Sequence, residues 1–323
     1  MDVLAMNPQA SIVGAVDIGG TKIAVGAIDQ SGRVLAREES ATSAREGFDA
    51  AMMRVDGMLK RAQDRAGAAF CGIGIGCTGP VEPVSGAIGD VDFLPGWRDR
   101  NPVEELAQRF GVSTAMENDA DAAALGELAW GAGRGKQHLI CITVGTGIGG
   151  GIVLNGQLYR GVGGVHPEVG HHVIDVTGPE CFCGAHGCWE GLARGPAMPK
   201  RLLLTAPEHY AHRADLTAEQ VCELARQGDP AARCEVAREA EYLGIGVANL
   251  ITMFAPEVIV LTGSVMQSAD LLLPLIRDAV ARQCRLVPGN AVALVTSPLG
   301  NDAGLIGAAA AWRHRFKRDA AVW

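Results

Sequence analysis

Twice in this chain an apolar strand runs into a cluster of glycines and re-emerges as another strand. Residues 12–17 end in Asp17-Ile18-Gly19-Gly20-Thr21-Lys22, and a second apolar run follows over 23–29. Residues 139–144 end in Gly145-Thr146-Gly147-Ile148-Gly149-Gly150-Gly151, and a strand pattern follows there too. In the second stretch five glycines in seven residues cost conformational entropy, which implies that something approaches the backbone closely, whereas the pair Gly19-Gly20 is equally an ordinary hairpin turn. A strand, not a helix, comes next in both places. That excludes the lysine-tipped phosphate loop and the dinucleotide fingerprint, each of which opens a helix.

The rest of the pattern is built around these two turns. Asp29-Gln30-Ser31-Gly32 turns the chain into a third strand, 33–38, so the start reads as a β-meander. A helix over 48–66, a strand over 72–76 running into Cys77-Thr78-Gly79-Pro80, and a helix over 102–110 follow. Asn101 caps that helix, with Pro102 at its first position. A short strand, 113–116, then meets Glu117-Asn118-Asp119 and a helix over 120–130. In the second cycle Asn155-Gly156 marks a hairpin between 151–154 and 157–160. Residues 161–191 are loop-rich and 217–254 mostly helical. The strand 258–262 runs into Gly263-Ser264, and a helix (271–283), a strand (291–296) and a last helix (302–318) complete the chain. The repeated pattern predicts a duplicated α/β fold with a cleft between its halves. The expected division is 1–119 with 303–323 for one half and 120–302 for the other.

With 323 residues, 48% of them apolar and 20% charged, the chain can bury the cores of two such halves. A net charge of −8 and the absence of a basic block argue against a nucleic-acid partner. The one basic stretch, Arg313 to Arg318, reads as the last turn of a helix, where cations suit the dipole. There is no run of 18 apolar residues, and Met1 to Gln9 carries no basic residue. The expectation is a cytoplasmic protein with neither a membrane span nor a signal peptide. In that compartment nine cysteines stay thiols, or become metal ligands where they cluster.

They cluster once. His171, Cys181, Cys183 and Cys188 follow one another at spacings of ten, two and five. Three thiolates and one imidazole make a closed tetrahedral set suited to structural zinc, with His172, His166 and His186 as alternative ligands. Beside the cluster, Glu168 and Glu190 could accept hydrogen bonds from a ligand's hydroxyls, or stand as solvated surface charge. In the first turn the Gly19 and Gly20 backbone and the Thr21 hydroxyl suit a polyphosphate, and Asp17 suits a magnesium ion held through water. A carboxylate at a strand end that opens a helix, as in Glu117-Asn118-Asp119, can take a hydroxyl proton in phosphoryl transfer. The same residues also make an ordinary helix cap, and the local sequence leaves Asp119 and Asp121 open as the base.

These motifs together resemble the ROK family of bacterial sugar kinases and related repressors, over about 13–311. The most specific part is Gly170-His171 with Cys181-Phe182-Cys183-Gly184-Ala185-His186-Gly187-Cys188-Trp189-Glu190. The two glycine turns match the family's phosphate loops, and Leu261-Thr262-Gly263-Ser264 its adenosine-side motif. The resemblance implies two actin-like, ribonuclease-H-like ATPase domains that close over ATP and a sugar. It implies Asp119 as catalytic base, most often toward the 6-hydroxyl, and Gly79, Asn118, Glu168, His171 and Glu190 around the sugar. Asp17, Gly19, Gly20, Thr21, Lys22, Thr146, Gly147, Gly149 and Gly263 would serve ATP and its magnesium, with zinc structural on His171, Cys181, Cys183 and Cys188. A homodimer is the family expectation. Asp121 stands where the family usually has Asn. His166-Pro167-Glu168 looks like the fructokinase branch, whereas the cysteine pattern follows glucokinases and N-acetylhexosamine kinases. Glucose is the first expected substrate, ahead of fructose and N-acetylhexosamines. Repressors of the family carry a helix-turn-helix domain before the core. About a dozen residues precede the first strand here, which favours the kinase.

Overall fold

The computed structural model describes residues 11–211, 213, 215–287 and 291–316. The N-terminal stretch read for a signal peptide and the last two basic residues of the 313–318 run lie outside them. The chain divides into two compact units, one up to Gly135 together with the residues from Leu299 onward, the other Lys136–Pro298.

The first unit opens with a meander of β1 (Ile12–Ile18), β2 (Lys22–Ile28) and β3 (Val34–Ala41). The helix α1 (Phe48–Ala66), β4 (Phe70–Cys77), the small hairpin β5 (Val81–Glu82) and β6 (Ala87–Ile88), α2 (Pro102–Phe110), β7 (Thr114–Asn118) and α3 (Asp119–Trp130) follow. The second unit holds β8 (Leu139–Val144), β9 (Ile148–Leu154), β10 (Gln157–Leu158), α4 (Trp189–Ala193), α5 (Ala197–Thr205), α6 (Pro207–Tyr210), α7 (Ala218–Arg226), α8 (Pro230–Phe254), β11 (Val258–Thr262), α9 (Ala269–Gln283) and β12 (Ala293–Thr296). The last helix, α10 (Ala303–Phe316), returns to the first unit.

The duplication is plain in the sheets. The first has the order β3-β2-β1-β4-β7 and the second β10-β9-β8-β11-β12. Each is an antiparallel three-strand meander whose first strand continues into two parallel strands. The mixed pattern explains the sequence: strands covered on both faces read as continuous apolar runs.

In the first sheet the period-two alternation separates two cores. Val16, Ile18, Ile73 and Ile75 face α1 and α2, with Phe48, Met52 and Leu59. Val13 and Ala15 face α10, with Leu305, Ala308 and Trp312. On that second face β4 presents Gly72, Gly74 and Gly76. A Cβ at Gly72 would lie 2.0 Å from the Trp312 ring, and one at Gly74 only 1.8 Å from the Ala308 carbonyl oxygen. The helix therefore lies directly on the strand backbone. Its other neighbour is α3, where a Cβ at Gly126 would come within 3.0 Å of Gly307. This packing holds α3 in the first unit, so the division falls after that helix and not before it as expected. A Gly74→Val substitution must push α10 off the sheet. Urea unfolding should show a loss of about 2–3 kcal/mol or more; an unchanged midpoint would mean that the contact is not close.

Candidate functional site

In the first unit the parallel register brings three chain segments level. Asp17 on β1 pairs with Gly76 on β4, and Gly76 with Glu117 on β7; one step on, Cys77 pairs with Asn118. The carboxyl ends of parallel strands are where open α/β sheets bind ligands. Asp17 therefore stands beside the residues that open α3. Burial, then the charges of Asp119 and Asp17, push the Cys77 thiol well above its ordinary range.

Asp17 is itself pushed up to about 6, by burial first, with Lys22 and Arg37 pulling the other way. Its carboxylate lies against the start of α10, where a Cβ at Gly304 would sit 2.2 Å from Oδ2. The first turn is tight: the Gly19 N–H donates to the Lys22 carbonyl at 2.9 Å. Thr42, fully buried, braces it by donating its hydroxyl to the Gly19 carbonyl (2.6 Å) and its N–H to the Thr21 carbonyl (2.9 Å). Thr21 is exposed, and the Lys22 ammonium sits 3.2 Å from Glu39. Phe93 covers Gly20, where a Cβ would lie 2.7 Å from the Phe93 Cβ. Sequence reasoning found neither Thr42 nor Phe93. Each meets the turn from more than 20 positions away, and no local pattern marks such a contact.

Asn118 is the cap of α3. Its Oδ1 accepts from the Ala120 N–H at 2.9 Å and the Asp121 N–H at 3.4 Å, while its amide nitrogen abuts Gly79. The two candidate carboxylates differ sharply in exposure. Asp121 is 0% exposed, whereas Asp119 is half-buried at the first helical position and accepts from the Ala120 N–H at 2.8 Å. Only Asp119 has a surface to offer a ligand.

The second turn is shorter than the sequence suggests. Gly149, Gly150 and Gly151 lie inside β9, where they pair with Thr143, Ile142 and Cys141. The turn itself is Gly145-Thr146-Gly147, closed by the Gly145 N–H on the Gly147 carbonyl at 2.9 Å, with Thr146 exposed at its tip. Glu190 is seated on it. Its Oε2 accepts from the Ile148 N–H at 2.9 Å, and a Cβ at Gly147 would come within 2.4 Å of that oxygen. Gly195 donates its N–H to the Gly145 carbonyl (2.8 Å), and a Cβ at Gly145 would sit 3.6 Å from the Ser264 hydroxyl. Gly263 adopts φ +100, and its α-carbon packs so closely on Val144 that a Cβ would lie 2.3 Å from the carbonyl oxygen. Thr146, Gly147 and Gly263 thus meet at the carboxyl ends of β8 and β11, and Gly149 belongs to the ladder behind them.

The His/Cys set gathers as the spacing predicts. One donor atom from each of His171, Cys181, Cys183 and Cys188 lies within 4.8 Å of the other three. Cys181 Sγ is 3.5 Å from His171 Nδ1, and Cys183 Sγ is 3.5 Å from Cys188 Sγ. Burial, followed by the neighbouring thiols, pushes Cys188 up to about 12. A divalent cation would reverse that penalty, and three sulfurs with one imidazole fit zinc. Among the alternative ligands, His172 turns its Nδ1 to the Val169 carbonyl at 2.6 Å, and burial lowers its pKa. Among the described residues, His171 is the histidine grouped with these cysteines. Glu168 is exposed, and its carbonyl accepts from the His171 N–H at 3.0 Å.

The ROK family profile matches residues 13–315. A glucokinase of Thermotoga maritima is 33% identical over 320 residues, covering 96% of this chain and 99% of the relative. The crystal structure of a ROK family glucokinase from Streptomyces griseus in complex with glucose and AMPPNP superposes with a TM-score of 0.80 at 35% identity, covering 93% of this chain and 98% of that one. The xylose repressor of Bacillus subtilis is 33% identical over 211 residues, covering 65% of this chain and 53% of the repressor. The solved relatives confirm the expected actin-like, ribonuclease-H-like α/β fold.

Two outcomes follow from the site. Asp17 has a raised pKa, so its contribution to stability is fully present below about 4 and is lost as the pH rises through about 6. Relative to wild type, Asp17→Asn should gain about 2–3 kcal/mol between pH 4 and 7 in urea titrations; a pH-independent difference would show that Asp17 is not shifted. Elemental analysis should find about one zinc per chain, and Cys181→Ala should lose most of it.

Proposed function

The chain belongs to the ROK family, and from that premise we propose that it moves the terminal phosphoryl group of ATP to a hexose, with glucose first and its 6-hydroxyl as acceptor. It is an ATP-dependent sugar kinase, similar along nearly its whole length to glucokinases. The observation that carries the chemistry is the contrast at α3: Asp119 is accessible at the helix start, while Asp121 is sealed in the core.

In this reading Asp119 accepts the proton as the sugar oxygen attacks the terminal phosphorus and the bond to ADP breaks. Little covalent work is asked of the protein, so positioning and charge do the rest. Gly79, Asn118, Glu168, His171 and Glu190 hold the sugar. Asn118 has only its amide nitrogen to offer, because its oxygen caps α3. Glu190 has Oε1 to offer, because Oε2 is on Ile148. Asp17, Gly19, Gly20, Thr21 and Lys22, with Thr146, Gly147, Gly149 and Gly263, serve the nucleotide. Lys22 must leave Glu39 to reach a phosphate, and Gly149 acts by keeping β9 flat behind the turn. Magnesium arriving with ATP would supply charge neutralisation beside Asp17. Zinc on His171, Cys181, Cys183 and Cys188 is structural. Among the described residues no helix is long and apolar enough to cross a membrane; a cytoplasmic homodimer completes the proposal.

The xylose-repressor similarity supports a second reading as a sugar-sensing regulator, and fructose or an N-acetylhexosamine are the competing substrates. A coupled assay of sugar-dependent ADP release across a hexose panel separates them. Glucose should give the highest kcat/KM; no turnover with any sugar would overturn the kinase. Asp119→Asn should keep sugar binding and lose about 10²–10⁴ in kcat. A dead Asp121→Asn beside an active Asp119→Asn would assign the base to the other carboxylate.

A further inference from the structure

Glu190 lies on α4, a helix of five residues. So short a helix cannot hold itself by its own hydrogen bonds. On its N-terminal side, Trp189 donates its N–H to the His172 carbonyl at 2.9 Å, and Cys188 stands at the cap position without a side-chain bond to the helix. The Trp189 ring lies flat on α8, where a Cβ at Gly246 would be 2.1 Å away.

The other end is tied by the Gly195 N–H to the Gly145 carbonyl (2.8 Å) and by one side chain from α5. Arg201 donates through Nη1 to the Leu192 carbonyl, two residues beyond Glu190. Its Nε donates to Glu235 Oε2 at 3.0 Å and its Nη2 to Glu239 Oε2 at 2.5 Å. Both carboxylates are on α8, with side chains 2% and 0% exposed, and Arg201 itself is 16% exposed. The guanidinium also lies 5.5 Å from the Tyr242 ring, and Arg238 supports Glu235 at 3.1 Å. Glu239 Oε1 is buried without a partner in the structure.

A buried cluster of this kind adds little stability over an apolar one, because desolvation cancels most of the attraction. What it does add is direction: a planar guanidinium with all three nitrogens engaged can hold the Leu192 carbonyl in one place. We propose that Arg201 is a positioning residue for Glu190: anchored on Glu235 and Glu239, it fixes α4 so that Glu190 can hold the Gly145–Gly147 turn with one oxygen while presenting the other to the sugar. This rests on the sugar-kinase reading for the role of the second oxygen, but not for the first.

The test uses Arg201→Lys and Glu239→Gln, with Arg201→Met as the severe variant. Amide hydrogen exchange is measured over residues 145–150 and 189–195, and kcat and sugar KM are measured on the same preparations. Arg201→Lys should speed exchange at Ile148 and over α4 about tenfold, leave the first unit's sheet unchanged, and raise sugar KM more than it lowers kcat, a misplacement effect on the order of 10-fold to 10²-fold. In a Glu190→Gln background the same change should have no further effect on KM. If Arg201→Met does not fold, the two milder variants carry the comparison. A lowered Tm with unchanged exchange at Ile148, or KM effects that simply multiply with Glu190→Gln, would overturn the proposal. If wild type turns over no sugar, the kinase reading fails, while the exchange data still decide whether Arg201 places Glu190 on the turn.

Discussion

Everything in the first unit follows from a helix lying on bare backbone. Because β4 offers Gly72 and Gly74 to that face, α10 comes close enough for the Ala308 carbonyl and Trp312 to occupy the space where side chains would be. The approach brings Gly304 against Asp17 and desolvates the carboxylate, which is why its pKa rises. It also fixes α3 through Gly126 and Gly307, and α3 carries Asn118 and Asp119 at its start. One packing constraint thus sets the electrostatics of Asp17 and the position of Asp119.

The second unit reaches an equivalent turn by other means. There the turn is governed by side chains: Glu190 on Ile148, with Arg201 holding the end of α4 behind it. Cys188, one of the four grouped His/Cys donors, directly precedes that helix. An element of five residues is too short to be stable alone, so such outside contacts matter to it.

The sequence made much of this legible. Apolar runs interrupted by glycine disclosed both meanders, and the ten–two–five spacing disclosed the metal set, because both signals are local in the chain. Exposure was less legible: Asp119 and Asp121 look alike in sequence, and only the packing of α3 separates them. Gly149 to Gly151 read as loop because glycine composition cannot distinguish a turn from a flat strand in a ladder. Thr42, Phe93 and Arg201 were invisible because each meets a backbone group outside its own element, Arg201 from nine residues away and the others from more than twenty, and such contacts leave no mark on the residue type they meet.

The two sheets share one order but differ most in what is inserted after the meander. Between the third meander strand and the next strand of the sheet, the first unit places the single α-helix α1, whereas the second places the loop with the His/Cys group and α4 to α8. Among the described residues the first crossover is thus a single α-helix, whereas the second holds five. The sheets are alike in order, and the added chain of the second crossover is what carries Glu190 to the Gly145–Gly147 turn, with Arg201 on the Leu192 carbonyl behind it.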